Sequence, residues 1–305
     1  MIISDNFAFM TLWPWHPIAM LIWVITILTY ILGWRQMRRR YPRVATPRRL
    51  VFFIGAMLLI ALAIFSPLDP LSHHLLSART LQKLLLGMIA PPLIWLSCPF
   101  HVMIYALPRQ LRHRITRQVI RPSKLQTMLR FCTRPTVAWI AFVCAFLLWH
   151  DPGMVGWTLV SESGRMAILG LMFATALLYW QHIVKTGPRI HKRYPGWLLV
   201  AYLITVEIAN MAAGVTLAFT TEPIYAHYVA AHAAGTSLPF INALEDQMLT
   251  GAMVWVTGSI IYISSIVMIL SQLFAQEDGT PPRLSASLTA TRRTIAPGLE
   301  HRARD

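Results

Sequence analysis

Residues 197–219 read WLLVAYLITVEIANMAAGVTLAF, a run of 23 residues with one charged side chain, Glu207. An α-helix needs about 20 consecutive apolar residues to cross the hydrocarbon core of a bilayer, so this run predicts a membrane span. Six further apolar runs lie on either side of it, at 17–34, 50–65, 84–107, 136–149, 166–184 and 248–274. The sequence therefore predicts an all-α protein, a polytopic membrane bundle of about seven transmembrane helices.

The overall composition excludes a soluble fold. Of the 305 residues, 56% are hydrophobic and only 13% are charged, and the mean hydropathy is +0.53, which is too apolar for a surface in water. We assign residues 1–275 to one seven-span membrane domain. Residues 276–305 are rich in Thr, Ala, Pro and Arg without an apolar period, so we predict a disordered cytoplasmic tail.

The basic residues predict the orientation of the bundle. The net charge is +15, and 24 of the 27 Lys and Arg residues fall in the tail or in the segments after the first, third and fifth runs. Such segments face the cytoplasm, which places the N-terminus on the other side of the membrane. The membrane that we expect is a bacterial inner (plasma) membrane. The fourth run has only 14 residues, but without it the basic cluster at 185–193 would move to the wrong side. The positive charge thus indicates topology and a lipid bilayer partner, with no nucleic acid.

Most histidines, the candidate metal ligands, fall on the opposite, outer side of the membrane. Six of the eleven histidines lie there, and neutral imidazole suits copper and zinc. No HxxxH pair occurs among them, so any metal site must be assembled from different helices. The alternative is a set of interfacial histidines hydrogen-bonded to loops or water. The candidate metal ligands are His16, His73, His74 and His150.

Three basic residues remain on the outer side: Arg79, Lys83 and Arg165. Arg79 and Lys83 are four residues apart and share one helical face. We expect them to pair with carboxylates, and the candidates are Glu162, Glu245 and Asp246. The alternative is that they bind an anion or a lipid headgroup.

Glu207 and Asn210 are polar residues within the sixth predicted span. A carboxyl group at that depth is either protonated or partnered. We expect a neutral Glu207 hydrogen-bonded to Asn210 or to a neighbouring helix. A proton or metal relay is the alternative, although the spans contain no second acid that would form a chain.

The string WHDP at 149–152 ends the fourth predicted span. Tryptophan is enriched at the membrane interface, so Trp149 is expected in the interfacial belt, with His150 presented just outside it. The proline that follows stops the helix.

Three local strings resemble the CtaG-like family of cytochrome c oxidase assembly factors, in the same order along the chain. They are SARTLQK at 77–83 running into APPL at 90–93, WHDP at 149–152, and LEDQ at 244–247 followed by Gly251 and MVW at 253–255. The resemblance covers roughly residues 15 to 275. It implies a seven-span protein that helps to mature a haem–copper oxidase. The step that it implies is copper insertion, with an oxidase subunit as client and copper as the metal.

The chain departs from the family pattern in the third span. The family segment usually reads SAHMxQH, and its two histidines are replaced here by Arg79 and Lys83. Neither guanidinium nor ammonium offers a lone pair to a metal. Two modes of assembly therefore stay open: holding copper for transfer, or docking to the client subunit, and the replacements favour docking.

No constellation in the sequence predicts an enzyme. There is neither a nucleophile with its base nor a glycine loop that would cradle phosphate. A small-solute or metal-ion transporter is the alternative function, since Glu207, Asn210 and the Pro91–Pro92 break could contribute to a polar path.

Overall fold

A computed structural model describes residues 16–108, 110–112, 114, 124–184, 186, 194–234 and 241–277, and all regular structure within these ranges is helical. The first two residues of the predicted tail fall inside the last helix, and the rest of the tail lies outside the described residues. The helices are α1 (Pro17–Arg40), α2 (Pro47–Ile64), α3 (Leu68–Leu71), α4 (Leu76–Leu84), a π-helical turn (Leu85–Ile89), α5 (Ala90–Leu96), α6 (Pro99–Ala106), α7 (Lys124–Cys132), α8 (Pro135–His150), α9 (Pro152–Val160), α10 (Glu162–Val184), α11 (Gly196–Phe219), α12 (Ala226–Ala233) and α13 (Ala243–Glu277).

The helices account for up to seven membrane spans. Five of them, α1, α2, α10, α11 and α13, are each long and apolar enough to cross a bilayer. Two bent pairs supply the others: the helix from α4 through α5 turns by 62° into α6, and α7 turns by 59° into α8. The predicted all-helical membrane fold is confirmed, and the short fourth run is the second half of a bent span.

Proline decides where many of these helices begin. It lies in the first turn of α1, α2, α6, α8 and α9, where its missing N–H costs nothing because the first helical amides have no intrahelical acceptor. Between α8 and α9 the chain leaves helical geometry only at Asp151, whose carboxylate accepts a hydrogen bond from the Met154 amide at 2.8 Å and caps α9. The WHDP string therefore joins two helices.

The third span has a π-helical turn shortly before its two internal prolines, Pro91 and Pro92, which lie in the first turn of α5. Pro91 has no N–H to give to the Gly87 carbonyl one turn earlier. That carbonyl instead accepts a hydrogen bond of 3.0 Å from the indole N–H of Trp180 on α10. The 62° bend comes later, at Cys98, which has a left-handed backbone (φ 54°) directly before Pro99.

Glycine allows two close helix crossings. A Cβ at Gly33 of α1 would overlap the Val102 carbonyl of α6. A Cβ at Gly251 of α13 would overlap the backbone of Gly214 and Ala218 on α11. Small residues that let backbones approach are typical of packed membrane helices, so α11 and α13 form a tightly packed pair.

Candidate functional site

The three basic residues that the sequence places on the outer side are all buried in the bundle. Their exposed fractions are 2% for Arg79, 0% for Lys83 and 6% for Arg165. Two of them lie on α4, a helix of nine residues of which seven are buried. Polar side chains on such a surrounded helix cannot reach bulk water, so they need partners inside the protein.

Arg165 forms a buried ion pair with Asp69 of α3. One carboxylate oxygen of Asp69 accepts hydrogen bonds from the Arg165 guanidinium and from the Gln82 amide, the latter at 3.0 Å. Its other oxygen lies 3.2 Å from His16 Nε2, and His16 Nδ1 lies 3.5 Å from the exposed carboxylate of Glu162. The side chains of this Asp69 cluster come from α3, α4, α10 and the residue before α1, so the cluster links these four parts of the chain.

Lys83 donates a hydrogen bond to His150. The imidazole Nδ1 lies 2.8 Å from the Phe146 carbonyl, which can only accept, so Nδ1 carries the proton. Nε2 is then the acceptor for the Lys83 amine at 2.7 Å. Lys83 also lies 4.8 Å from the centre of the Phe146 ring. The geometry turns His150 into the bundle rather than presenting it outside.

Arg79 is held by neutral groups. Its Nη2 donates to the Thr158 hydroxyl at 2.9 Å, and its guanidinium lies 4.7 Å from the centre of the Trp149 ring. Trp149 is 4% exposed, so its expected place in the interfacial belt is wrong; it packs inside the bundle. Within the described part of the chain, no carboxylate lies within 4 Å of Arg79 or Lys83.

The carboxylates expected to pair with these cations have other roles. Asp246 is fully buried and accepts hydrogen bonds from the backbone amides of Leu76 and Ser77, at 2.6 and 3.1 Å, where α4 begins. Glu245 and Asn242 each accept from the other's backbone N–H at 2.9 Å, a capping box for α13. Both carboxylates therefore accept hydrogen bonds from backbone amides at the start of a helix.

His73 and His74 lie in the turn between α3 and α4. Burial lowers the pKa of His73 to about 4, and the positive charge of Arg165 adds to the lowering. Burial also lowers the pKa of His74, and the electrostatic effect of His227 is the second, smaller cause. Both imidazoles are therefore neutral at pH 7, the form that can bind a metal.

The four candidate metal ligands do not fit a copper centre as they lie. The Asp69 carboxylate holds His16, and Lys83 uses the Nε2 lone pair of His150. Within the described ranges, no group of three or more His, Cys, Asp or Glu residues is arranged to hold a metal ion. Copper binding by His16, His73, His74 and His150 stays a prediction.

A second polar cluster lies between α11 and α13. Glu207 accepts hydrogen bonds from Ser259 and from Asn210, the latter at 3.3 Å, so both expected contacts are present. Asn210 also donates to the Val254 carbonyl at 3.1 Å. Three nearby buried atoms have no hydrogen-bond partner among the described residues: Asn210 Oδ1 and the hydroxyls of Tyr202 and Tyr262.

The sequence did not single out Asp69, Arg165 or Gln82 as a cluster. The available signal was that Arg79, Lys83 and Arg165 fall on the predicted outer side, against the rule that basic residues face the cytoplasm. A cation that remains on the side opposite the cytoplasm has a structural or ligand-binding reason. That reasoning identifies Arg165 together with Arg79 and Lys83, although it does not name their partners.

The comparison with known families gives one match. The sequence model described as cytochrome c oxidase caa3 assembly factor (Caa3_CtaG) matches residues 28–276, which cover the described helices except the start of α1 and the last residue of α13. No curated protein and no solved structure matches the chain.

Proposed function

The chain belongs to the family of cytochrome c oxidase caa3 assembly factors, and we propose on that premise that it helps to mature a haem–copper oxidase by docking to an oxidase subunit. The site of action is the bacterial inner membrane, with the N-terminus outside and the C-terminus in the cytoplasm. The role is that of a non-catalytic chaperone, and the membrane-embedded client binds through helix contacts.

The observation that supports docking over copper carriage is the Lys83–His150 hydrogen bond. The imidazole nitrogen that would bind copper already accepts from an amine. Arg79, on the same face of α4, has no lone pair to replace a missing ligand. A contribution to the copper-insertion step would then consist of holding the client subunit while another carrier supplies the metal.

A deletion strain tests the assembly role. Loss of the protein is expected to lower oxidase activity and the copper content of the oxidase while haem supply stays normal. Complementation by the wild-type gene restores both. Fully metallated, active oxidase in the deletion strain contradicts the proposal and favours the transporter alternative.

A triple variant separates docking from copper carriage. Under docking, His73→Ala, His74→Ala and His150→Ala together leave the complementing activity at a substantial fraction of wild type, and the purified wild-type protein binds less than one equivalent of copper. Under copper carriage, the wild type binds about one copper and the triple variant loses both the metal and the complementation. Equal membrane levels of the two proteins, measured by immunoblot, are the control.

The transporter alternative rests on the Glu207 cluster, which places polar groups between two membrane helices. Glu207→Gln keeps the hydrogen-bond acceptor towards Ser259 and removes the titratable proton. We expect this variant to complement oxidase assembly. Failure to complement, at normal protein level, would favour a proton- or cation-linked function for this cluster.

A further inference from the structure

Arg79 is a buried cation that has no carboxylate within 4 Å among the residues that the structure describes. It is 2% exposed, and its Nε–H has no hydrogen-bond acceptor among the described residues. Burying an ionised group costs several kcal/mol unless an opposite charge and hydrogen bonds compensate for it. Arg165 is also buried at this end of the bundle and its Nε–H also lacks an acceptor among the described residues, but it has a counter-charge in Asp69.

The aromatic neighbours of Arg79 add no negative charge. The Tyr228 phenol is within hydrogen-bonding reach of the Arg79 guanidinium, and the Tyr225 phenol interacts with it electrostatically. Burial raises the pKa of Tyr225 to about 12 and raises the pKa of Tyr228 as well, so both phenols are neutral at pH 7. Lys83, one helical turn away, brings a second basic group to the same place.

Two outer helices close over this position. Thr158 of α9, the acceptor for Arg79, is 1% exposed. At the start of α12, the hydroxyl of Tyr225 donates to the His150 carbonyl at 3.0 Å, and that of Tyr228 donates to the Ser72 carbonyl at 2.8 Å. The cationic position is therefore covered by α9 and α12, away from bulk water.

We propose that Arg79 binds a phosphate group beneath α9 and α12. The unpartnered Nε–H donates to one oxygen of the ligand, and the negative charge compensates for the buried guanidinium. Arg is suited to this role because its planar fork matches the geometry of a phosphate group. The phosphate of an anionic lipid and free phosphate share this chemistry, so either can be the source.

The test measures thermal unfolding of the full-length protein in a neutral detergent and phosphate-free buffer. Inorganic phosphate is titrated in one arm. In the other arm, nanodiscs containing phosphatidylglycerol are compared with nanodiscs of phosphatidylcholine alone. Ligand in hundredfold excess over its Kd is expected to raise the Tm by roughly 5 °C. A rise with inorganic phosphate assigns a free ion, and a rise with phosphatidylglycerol alone assigns the lipid.

Arg79→Met is expected to abolish the rise and to leave the ligand-free Tm at or above that of the wild type, because it removes an uncompensated charge. Arg38→Met is the matched control, since Arg38 also lies over a tryptophan ring, at 4.9 Å from that of Trp34, but is exposed; it should keep the rise. Arg79→Lys, which keeps the charge, should retain a weaker rise and serves if Arg79→Met does not fold.

Three results overturn the proposal. One is a wild-type Tm that responds to neither phosphate nor phosphatidylglycerol. Another is a response that Arg79→Met preserves in full. The third, where Arg79→Met does not fold, is a response in Arg79→Lys as strong as that of the wild type, because a contact through the guanidinium fork must weaken when the fork is removed.

Discussion

At the level of single residues, each of the three buried basic residues at the predicted outer end has a different kind of partner. The Arg165 guanidinium pairs with a carboxylate, and the Lys83 amine donates a hydrogen bond to a neutral imidazole. The Arg79 guanidinium donates to a hydroxyl and lies over an aromatic ring. These partners differ in charge, so the same substitution has different consequences at each position. The stability of this end therefore depends on individual pairs rather than on total charge.

Asp69→Asn tests the Asp69 cluster. The substitution keeps the side-chain shape but leaves the Arg165 guanidinium buried without a counter-charge, which costs about 3–5 kcal/mol in the free energy of unfolding. Thermal unfolding in detergent should show a large fall in Tm. Glu162→Gln is the control, because the Glu162 side chain is 72% exposed and should change the free energy of unfolding by less than about 0.5 kcal/mol. Equal effects of the two substitutions would contradict the assigned importance of Asp69.

His73 makes stability depend on pH. Its pKa of about 4 in the folded protein lies below its usual value of 6.5, so the unfolded chain binds the proton more tightly. The stability due to neutral His73 is complete above pH 6.5 and is lost as the pH falls from 6.5 to 4. Relative to His73→Gln, the Tm of the wild type should fall across this window. A Tm difference between the two proteins that does not change with pH would show that His73 is not responsible.

The sequence indicated which residues carry chemistry at the outer end but not how they pair. Arg79 and Lys83 were correctly placed on one helical face, and Asp246 was recognised as a nearby acid. Asp246 instead binds the amides at the start of α4, because a buried helix N-terminus also requires an acceptor. Backbone donors compete with side-chain cations for the same carboxylate, and a linear sequence does not show which of them is closer.

At the scale of elements, proline has opposite effects at different positions. At the start of a helix it marks the boundary, and the sequence predicted the spans closely from their apolar length. Within the third span, Pro91 leaves the Gly87 carbonyl without its helical donor, and the structure replaces that donor with Trp180 from a helix distant in sequence. Local propensity does not show this tertiary contact at the π-helical turn, and the bend lies further along the chain than the two prolines, at the left-handed Cys98 before Pro99.

The bond between Trp180 and Gly87 can be tested by a double-mutant cycle. Trp180→Phe leaves the buried carbonyl without a donor and should lower the free energy of unfolding by about 1–3 kcal/mol, measured as a fall in Tm. Pro91→Ala supplies a backbone N–H near the same carbonyl. The double variant should therefore lose less stability than the sum of the single variants predicts. Additive losses would mean that the two residues do not share this carbonyl.

At the level of the whole molecule, the predicted orientation from the basic residues agrees with the packing of the helices. The exceptions to the predicted cytoplasmic location are residues that the bundle buries. Several of the basic segments that carry the orientation lie outside the described residues, so the orientation itself is a sequence prediction.

Reporter fusions test that orientation. A phosphatase that is active only in the periplasm should be inactive when fused after residue 115, 190 or 285. It should be active when fused after residue 73 or 235. A reporter that requires the cytoplasm should give the reverse pattern at each position. A periplasmic signal from the segment between the third and fourth spans would reverse the assigned topology.

The Asp69–Arg165 pair also constrains the order in which a nascent chain can mature. Residues 69 and 165 are separated by 96 positions, and a ribosome delivers the first of them to the translocon well before the second. Asp69 must therefore wait for Arg165, and Lys83 must wait for His150, until the helices that carry these later partners have been synthesised. During this interval the two early polar side chains lack these partners, and this end of the bundle can close only late in biogenesis.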